Sequence, residues 1–488
     1  MRTHDWNGLH PSKENTYDSQ GSRTCTEMEN CARQENGSPQ ENSSSQETWE
    51  RSRQTTRELL RFIEETPSVF HVIRRFEELL RGHGFEGLPE TSPWHLKKGG
   101  KYFVTRNGSS LIAFSVPQQD FTNFQISAAH SDSPSFKIKE RPELAVGGHY
   151  VELNTERYGG MIFAPWFDRP LSVAGRAVVK QSGRLETRLV HIDRDLVMLP
   201  NLAIHMDNHI NSGYEYHPQK DLIPIFGDER SQGMFSRLIA RAADAKESDL
   251  LASDLFLYCR TPGSIWGANQ EYFSSPRLDD MQSAYAIMQG FLAGGNPRSV
   301  SVCCIFDNEE VGSLTKQGAD STMLSDVLER INFSLGRSPE EYRTAVAASF
   351  MVSADNAHAL HPNHMDKADP VNRPFLNGGP VIKFNANQKY TTDAVSAAIF
   401  RELCRRSEVP CQSYANHSDI AGGSTLGNLS NAHVSLNTVD IGLPQLAMHS
   451  PYETAGVMDA WYLIRVMKEF YASHLQPAGE GWELVKES

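Results

Sequence analysis

Carboxylates and imidazoles recur in this chain where apolar runs end. The β-prone run Ser301-Val302-Cys303-Cys304-Ile305-Phe306 leads into Asp307-Asn308-Glu309-Glu310-Val311-Gly312, so two adjacent acids stand on a Gly-terminated turn behind a strand. Neighbouring acids repel. A chain keeps such a pair either on a solvated surface or around a cation, where one acid binds metal and its neighbour moves protons. The same placement recurs for His130 and Asp132 after Phe124 to Ala129, for Asp279-Asp280 after Ser275-Pro276-Arg277-Leu278, and for Asp355 after Phe350 to Ala354. His449 follows Gln445-Leu446-Ala447-Met448 late in the chain. Imidazole nitrogen with carboxylate oxygen suits zinc or its near neighbours, whereas calcium and magnesium sites are built from oxygens. Two histidines and three acids suffice for a pair of ions bridged by one carboxylate. Taken singly, each group has a plainer reading, a solvated acid pair at Glu309-Glu310 or a helix cap at Asp279.

The elements that must carry these groups are legible from periodicity. Leu59 to Ile63 and Val72 to Leu80 are apolar at helical spacing and are separated by Thr66-Pro67-Ser68, which predicts two helices with a break. Tyr102 to Thr105 and Ser110 to Phe114 flank Asn107-Gly108, the chemistry of a hairpin. From Ser275 onward strands alternate with helices: Met281 to Leu292 and Ala394 to Arg406 read as helices, Ser349 to Asp355 and Pro380 to Asn385 as strands, and Val457 to Tyr471 as a last helix. This alternation predicts an α/β fold with a mostly parallel central sheet between helices, whose ligands sit at the carboxyl ends of strands. Residues 141–266 instead show short alternating runs with Pro, Gly and charged turns, and read as an inserted β-rich domain. The catalytic domain is therefore expected to be discontinuous, 51–140 with 267–488. Residues 1–50, rich in Ser, Asn, Gln and Glu, read as a disordered polar tail. In the inserted segment, His205 stands in the apolar run Leu202-Ala203-Ile204-His205-Met206, and by itself reads as a packed core histidine.

Composition narrows the function classes. Of 488 residues, 39% are hydrophobic and 22% charged, ordinary for a water-soluble fold. The net charge of −13 argues against nucleic acid and against an anionic membrane as partner. No apolar run is long enough to cross a bilayer. The 7 cysteines show no zinc-ribbon or redox spacing and fit a reducing compartment, so the chain reads as cytoplasmic, with delivery to a vacuole or lysosome-like compartment as the lesser alternative.

Five motifs carry a resemblance: His130-Ser131-Asp132-Ser133-Pro134, Ser275 to Asp279, Asp307 to Ser313, Ser353 to Asn363, and Pro444 to Ser450. In this order they resemble the aspartyl aminopeptidase family, dinuclear zinc exopeptidases that remove an N-terminal residue from peptides, over the chain from about Thr56 to its end. The resemblance implies a zinc-exopeptidase α/β/α sandwich and two Zn2+ per subunit, with Co2+ or Mn2+ as alternatives. It implies His130, Asp279, Glu310, Asp355 and His449 as metal ligands, with Asp279 bridging, Glu309 as general base and Asp132 holding the His130 ring. It promotes His205 from core histidine to a residue that reaches a neighbouring subunit's active site, in a homo-oligomer expected to be a tetrahedral dodecamer. It places Lys383 opposite the substrate side chain, which favours peptides beginning with Asp or Glu. Gly423 and Ser424 fall in the family's Gly-rich substrate loop, but Gly422 stands where a Cys is common, and this leaves acidic against neutral, Leu-like preference open. A related hydrolase such as a deacylase, or a non-catalytic assembled carrier, are the other classes the residues allow.

Overall fold

Helix formation begins earlier than the apolar spacing suggests. In the computed structural model, which describes residues 39–486 except Ala421 and Ser424, the first helix runs Pro39–Glu65. Proline at its first position needs no backbone donor, and the Gln, Glu and Arg that follow are good helix formers, so a polar composition is no obstacle there. The chain divides into two units at Glu50 and Arg51. Of the stretch read as a tail, residues 1–38 lie outside the described residues and 39–50 are helical. The break at Thr66-Pro67-Ser68 falls where expected, with the next helix at Val69–Gly82 burying Phe70, Val72, Ile73, Phe76 and Leu80.

A nine-stranded mixed sheet forms the centre of the fold. Its middle strands, Ser299–Phe306, Asn123–His130, Phe350–Ala354 and Asn437–Gly442, lie side by side and run parallel. Every residue of Asn123–His130 and Ser299–Phe306 is buried, the polar Asn123, Gln125, Ser127, Ser299 and Ser301 included, as in a sheet covered on both faces. The predicted hairpin Lys101–Arg106 and Ser110–Ser115 extends one side antiparallel. On the other side Val381–Phe384 pairs antiparallel with Asn437–Gly442 and parallel with Gln412–Ala415. Helices Leu278–Ala293 and Asp459–Ala472 are predominantly buried elements packed against this sheet and each other.

A second, six-stranded sheet is built from Ser135 to Cys259, all of its pairings antiparallel, with its own core around Phe136, Leu153, Trp166, Val173 and Leu257. The alternating texture of this part of the sequence is therefore that of an antiparallel sheet. A third sheet of five short strands was not foreseen; it brings Tyr272–Ser275, Pro444–Leu446, Glu453–Gly456 and Ala357–His358 together.

Candidate metal centre

Register places the ligand-type groups. Phe306 pairs with His130 across the parallel strands, and Ser353 pairs with Ala128, so the neighbouring strands end at nearly one level. His130 stands at its strand's last position, Asp307 to Glu310 begin immediately after Phe306, and Asp355 follows Ala354. Helix Leu278–Ala293 departs from helical geometry at Asp279 (φ −83, ψ 108) and Asp280 (φ −116, ψ 28), which turns both carboxylates off the helical path. Positive φ at Arg277, Asn308, Ser313, Ala447 and His449 marks the loops around the cluster as locally constrained.

These groups converge on one place. One ligand atom from each of His130, Asp279, Asp280 and Asp355 lies within 4.8 Å of the others, as do atoms of Asp279, Glu310 and His449, and of His130, Glu309 and Glu310. Asp279 joins the first two sets: its Oδ1 is 3.4 Å from His130 Nε2 and its Oδ2 is 3.5 Å from His449 Nε2. Glu310 Oε2 lies 3.4 Å from His449 Nε2, and Asp355 Oδ1 3.9 Å from His130 Nε2. Asp279 Oδ1, Asp280 Oδ1 and Glu310 Oε1 are buried without a hydrogen-bond partner. Buried acid oxygens left unpaired beside ring nitrogens are what a cation would satisfy, and the mixed nitrogen and oxygen donors fit zinc.

The electrostatics reflect this crowding. Burial pushes the Glu309 carboxyl up to about 8, against the pull of His130 and with Asp355 and Asp132 adding to it. Burial likewise drives Glu310 and Asp280 well above the carboxylate range, with Asp279 adding to both. Asp279 is itself buried, but the neighbouring His130 and His449 imidazoles outweigh burial and hold its pKa below the usual range. Burial disfavours charge on His130, yet Asp132, Asp279 and Asp355 outweigh it and raise its pKa.

A supporting ring holds these groups. Asp132 Oδ1 is 3.3 Å from His130 Nδ1, and the same carboxylate accepts the backbone N–H of Glu309 at 3.1 Å and of Glu310 at 3.2 Å and the Tyr158 hydroxyl at 2.6 Å. Glu453, 2% exposed, accepts the N–H of Asp279 at 3.0 Å through Oε2 and that of His449 at 2.7 Å through Oε1. Asn356 donates to Leu278 O and to Gln445 Oε1. Gly159 packs on Glu310, where an added Cβ would meet the Glu310 Cβ at 3.1 Å. The sequence reading did not pick out Glu453 or Tyr158, and it offered Asp280 only as the second member of an acid pair, with no role of its own.

Other expected residues fall differently. Lys383 is 3% exposed, on an interior strand, with Nζ 3.7 Å from Asp355 Oδ2 and 5.4 Å from the Tyr390 ring centroid, so it is not a solvated edge lysine. Gly423 is exposed and lines a cavity of about 300 Å³ with His358, Gln445 and Met448, the last adjoining His449. Ser424 lies outside the described residues. His205 is in none of the clusters. It is exposed on a turn with Leu202 (45%), Ile204 (53%) and Met206 (74%), which corrects the core reading: apolar flanks here mark a surface that the chain's own core leaves uncovered.

Known proteins resemble this chain over most of its length. The family profile described as Aminopeptidase I zinc metalloprotease (M18) matches residues 62–471. A "Probable M18 family aminopeptidase 2" of Clostridium novyi (strain NT) is 45% identical over 422 residues, 85% of this chain and 98% of that protein. One of the same name from Pseudomonas aeruginosa (strain UCBPP-PA14) is 40% identical over 428 residues, 86% and 98% of the two chains. Among solved structures, a chain of the Ape4 and Nbr1 complex aligns with TM-score 0.84 at 34% identity over 87% of this chain and 86% of that one. The S. cerevisiae mApe1 dodecamer aligns with TM-score 0.76 at 27% identity over 85% and 95%.

Proposed function

The chain belongs to the M18 family of zinc aminopeptidases, and from that premise we propose that it removes acidic residues, Asp or Glu, from peptide N-termini at a centre for two ions. The observation that carries the two-ion reading is Asp279, whose two oxygens face two different imidazoles, with Asp355 near the first and Glu310 near the second. His130, Asp279 and Asp355 would hold one cation, with Asp280 beside them, and Asp279, Glu310 and His449 the other. Bound cations supply Lewis-acid polarisation of the scissile carbonyl and lower the pKa of water.

Glu309 is the base in this reading. Its neighbour Glu310 reaches toward His449, while Glu309 groups with His130 alone among the imidazoles, and the acid of the pair not drawn toward His449 is the one left to move protons. Glu309 takes the proton of the attacking water and delivers it to the leaving amine. Asp132 positions His130 through its ring and the Glu309-Glu310 turn through its backbone N–H groups. Lys383, buried beside Asp355, supplies the positive charge that favours an acidic first residue, and Gly423 borders the peptide.

We assign assembly to the β-rich segment 141–266. One structural relative is a dodecamer, and His205 with its exposed apolar neighbours is offered from this segment to a second copy, whose site it completes. Purified protein assayed on Asp, Glu and Leu amides, with and without chelator, tests the proposal. Turnover that is fastest on the acidic amides and abolished by chelator is expected. Chelator-insensitive turnover overturns the metal mechanism, and a preference for Leu that Lys383→Ala leaves unchanged overturns the acidic assignment.

A further inference from the structure

Asp440 is a buried acid on an interior strand of the main sheet, Asn437–Gly442, and stands outside every ligand cluster of the metal centre. It is 0% exposed, and a carboxylate is not kept in such a place without partners. The partners come from two loops on either side of it in the sequence. Its Oδ2 accepts the Thr391 N–H at 2.6 Å and the Thr391 hydroxyl at 2.6 Å, and its Oδ1 accepts the Thr425 hydroxyl at 2.8 Å. Its backbone N–H donates to the Thr392 hydroxyl at 2.9 Å.

Both loops bear on Lys383 and the cavity beside it. Thr391 follows Tyr390, whose ring centroid lies 5.4 Å from Lys383 Nζ. Thr425 closes the Gly-rich loop, whose Gly422 and Gly423 line the cavity of about 300 Å³ together with Tyr414. Register brings these parts together at the lysine. Ile382 pairs antiparallel with Ile441, so one step further along Lys383 stands opposite Asp440 on the same face of the sheet, while on its other side Lys383 pairs with Tyr414. Against the penalty of burial, Asp355, Tyr390 and Asp440 hold the Lys383 ammonium in its charged form.

The loop end is fitted closely to this carboxylate. Thr425 occupies the cap position of the helix Leu426–His433, yet its hydroxyl makes no capping bond and goes to Asp440 instead. A Cβ added at Gly427, in the first turn of that helix, would meet Asp440 Oδ1 at 2.6 Å, so the carboxylate sits against the helix start, whose positive end favours it.

We propose that Asp440 is a positioning residue for substrate selectivity: by tying the Tyr390-Thr391 loop and the end of the Gly-rich loop to the strand beside Lys383, it fixes the width of the pocket that takes the peptide's first side chain. This rests on the reading of Lys383 as the group that meets that side chain. Walls released from the carboxylate still admit a side chain but no longer hold an acidic one against the ammonium.

Thr425→Val, which keeps the shape and removes the hydroxyl, tests this, with Thr425→Ser, which restores the hydroxyl, and Thr391→Val, which acts on the other loop. Wild type and variants are assayed on Asp, Glu and Leu amides at saturating zinc, with melting temperature and metal content measured alongside. The ratio of kcat/KM on Asp to that on Leu should fall about tenfold in Thr425→Val, the value of one hydrogen bond to a charged acceptor, chiefly through KM and with metal content at the wild-type level. Thr425→Ser should recover most of the ratio, and Thr391→Val should lower it severalfold. An unchanged ratio in folded Thr425→Val or, where that variant fails to fold, in Thr391→Val would overturn the proposal, as would equal losses on all three amides or a Ser variant that behaves like Val. A wild type that prefers Leu would instead refute the acidic assignment, and the role of Asp440 then stands or falls by whether the same substitutions move that preference.

Discussion

Replacing Glu453 by Gln isolates what a residue that touches no substrate contributes to the metal centre. Glu453 is buried, and its two oxygens hold two separate ligand-bearing loops, Oε2 on the Asp279 N–H at 3.0 Å and Oε1 on the His449 N–H at 2.7 Å. Gln keeps the size and one acceptor but must turn an NH2 toward one of these backbone donors. At least one of the two N–H groups then loses its acceptor in a buried site, at a cost of about 1–3 kcal/mol. One loop carries the shared carboxylate of Asp279 and the other carries His449, which faces it, so the cost falls on the arrangement that binds the ions: about 1.4 kcal/mol is tenfold, and a loss of roughly tenfold to a hundredfold in metal affinity follows. The assay is a chelator-buffered zinc titration of wild type and Glu453→Gln, reading metal content and turnover together. Turnover of the variant should recover at high free zinc. Equal zinc midpoints in two equally folded proteins would refute the reasoning, because they would mean that the loops hold their ligands without Glu453.

Three further outcomes follow from named contacts. Glu309→Gln should cut kcat by about a hundredfold or more while metal content by elemental analysis stays at the wild-type level; survival of activity would move the base elsewhere. Mixing His205→Ala with Glu309→Gln subunits under conditions that exchange them should restore part of the activity that neither has alone, whereas no recovery on verified mixing would place His205 outside a neighbour's site. His71 has a pKa lowered by burial, with His191 and Arg277 adding to it, from 6.5 to about 4. The unfolded chain therefore binds the proton first, so this group leaves stability untouched above about pH 6.5 and subtracts from it progressively as pH falls toward 4, by about 2 kcal/mol or less. His71→Gln should show a smaller fall in melting temperature between pH 7 and pH 4.5 than wild type, and parallel curves would contradict the linkage.

How much of this was legible depends on which atoms do the work. His130, Glu310 and Asp355 could be found because strands announce themselves by apolar runs and a parallel sheet aligns their ends, and the pairing of Phe306 with His130 turns a one-dimensional pattern into a shared site; Asp279 at a helix start and His449 after a short strand of the small sheet were found only by the motifs around them. Glu453 and Tyr158 could not. Glu453 acts on backbone N–H groups, one of them 174 positions away, and Tyr158 reaches Asp132 from a strand of the other sheet. A backbone donor has no residue type, so no motif advertises its acceptor. The small five-stranded sheet was hidden for a related reason: strands of 2 to 4 residues are too short to show a period.

The apolar run around His205 is instructive. An apolar run says that residues leave water in the working protein, and the nearest explanation is the chain's own core. Here Leu202, Ile204 and Met206 are 45%, 53% and 74% exposed, a local concentration of apolar surface on one turn that a lone chain has no reason to maintain. The same pattern that predicts a core predicts an interface equally well, since burial against a second copy removes the same area from water as burial against one's own sheet. Sequence periodicity carries the removal from water and not the identity of the covering surface. For this chain that missing half is the part on which the subunit-mixing experiment bears.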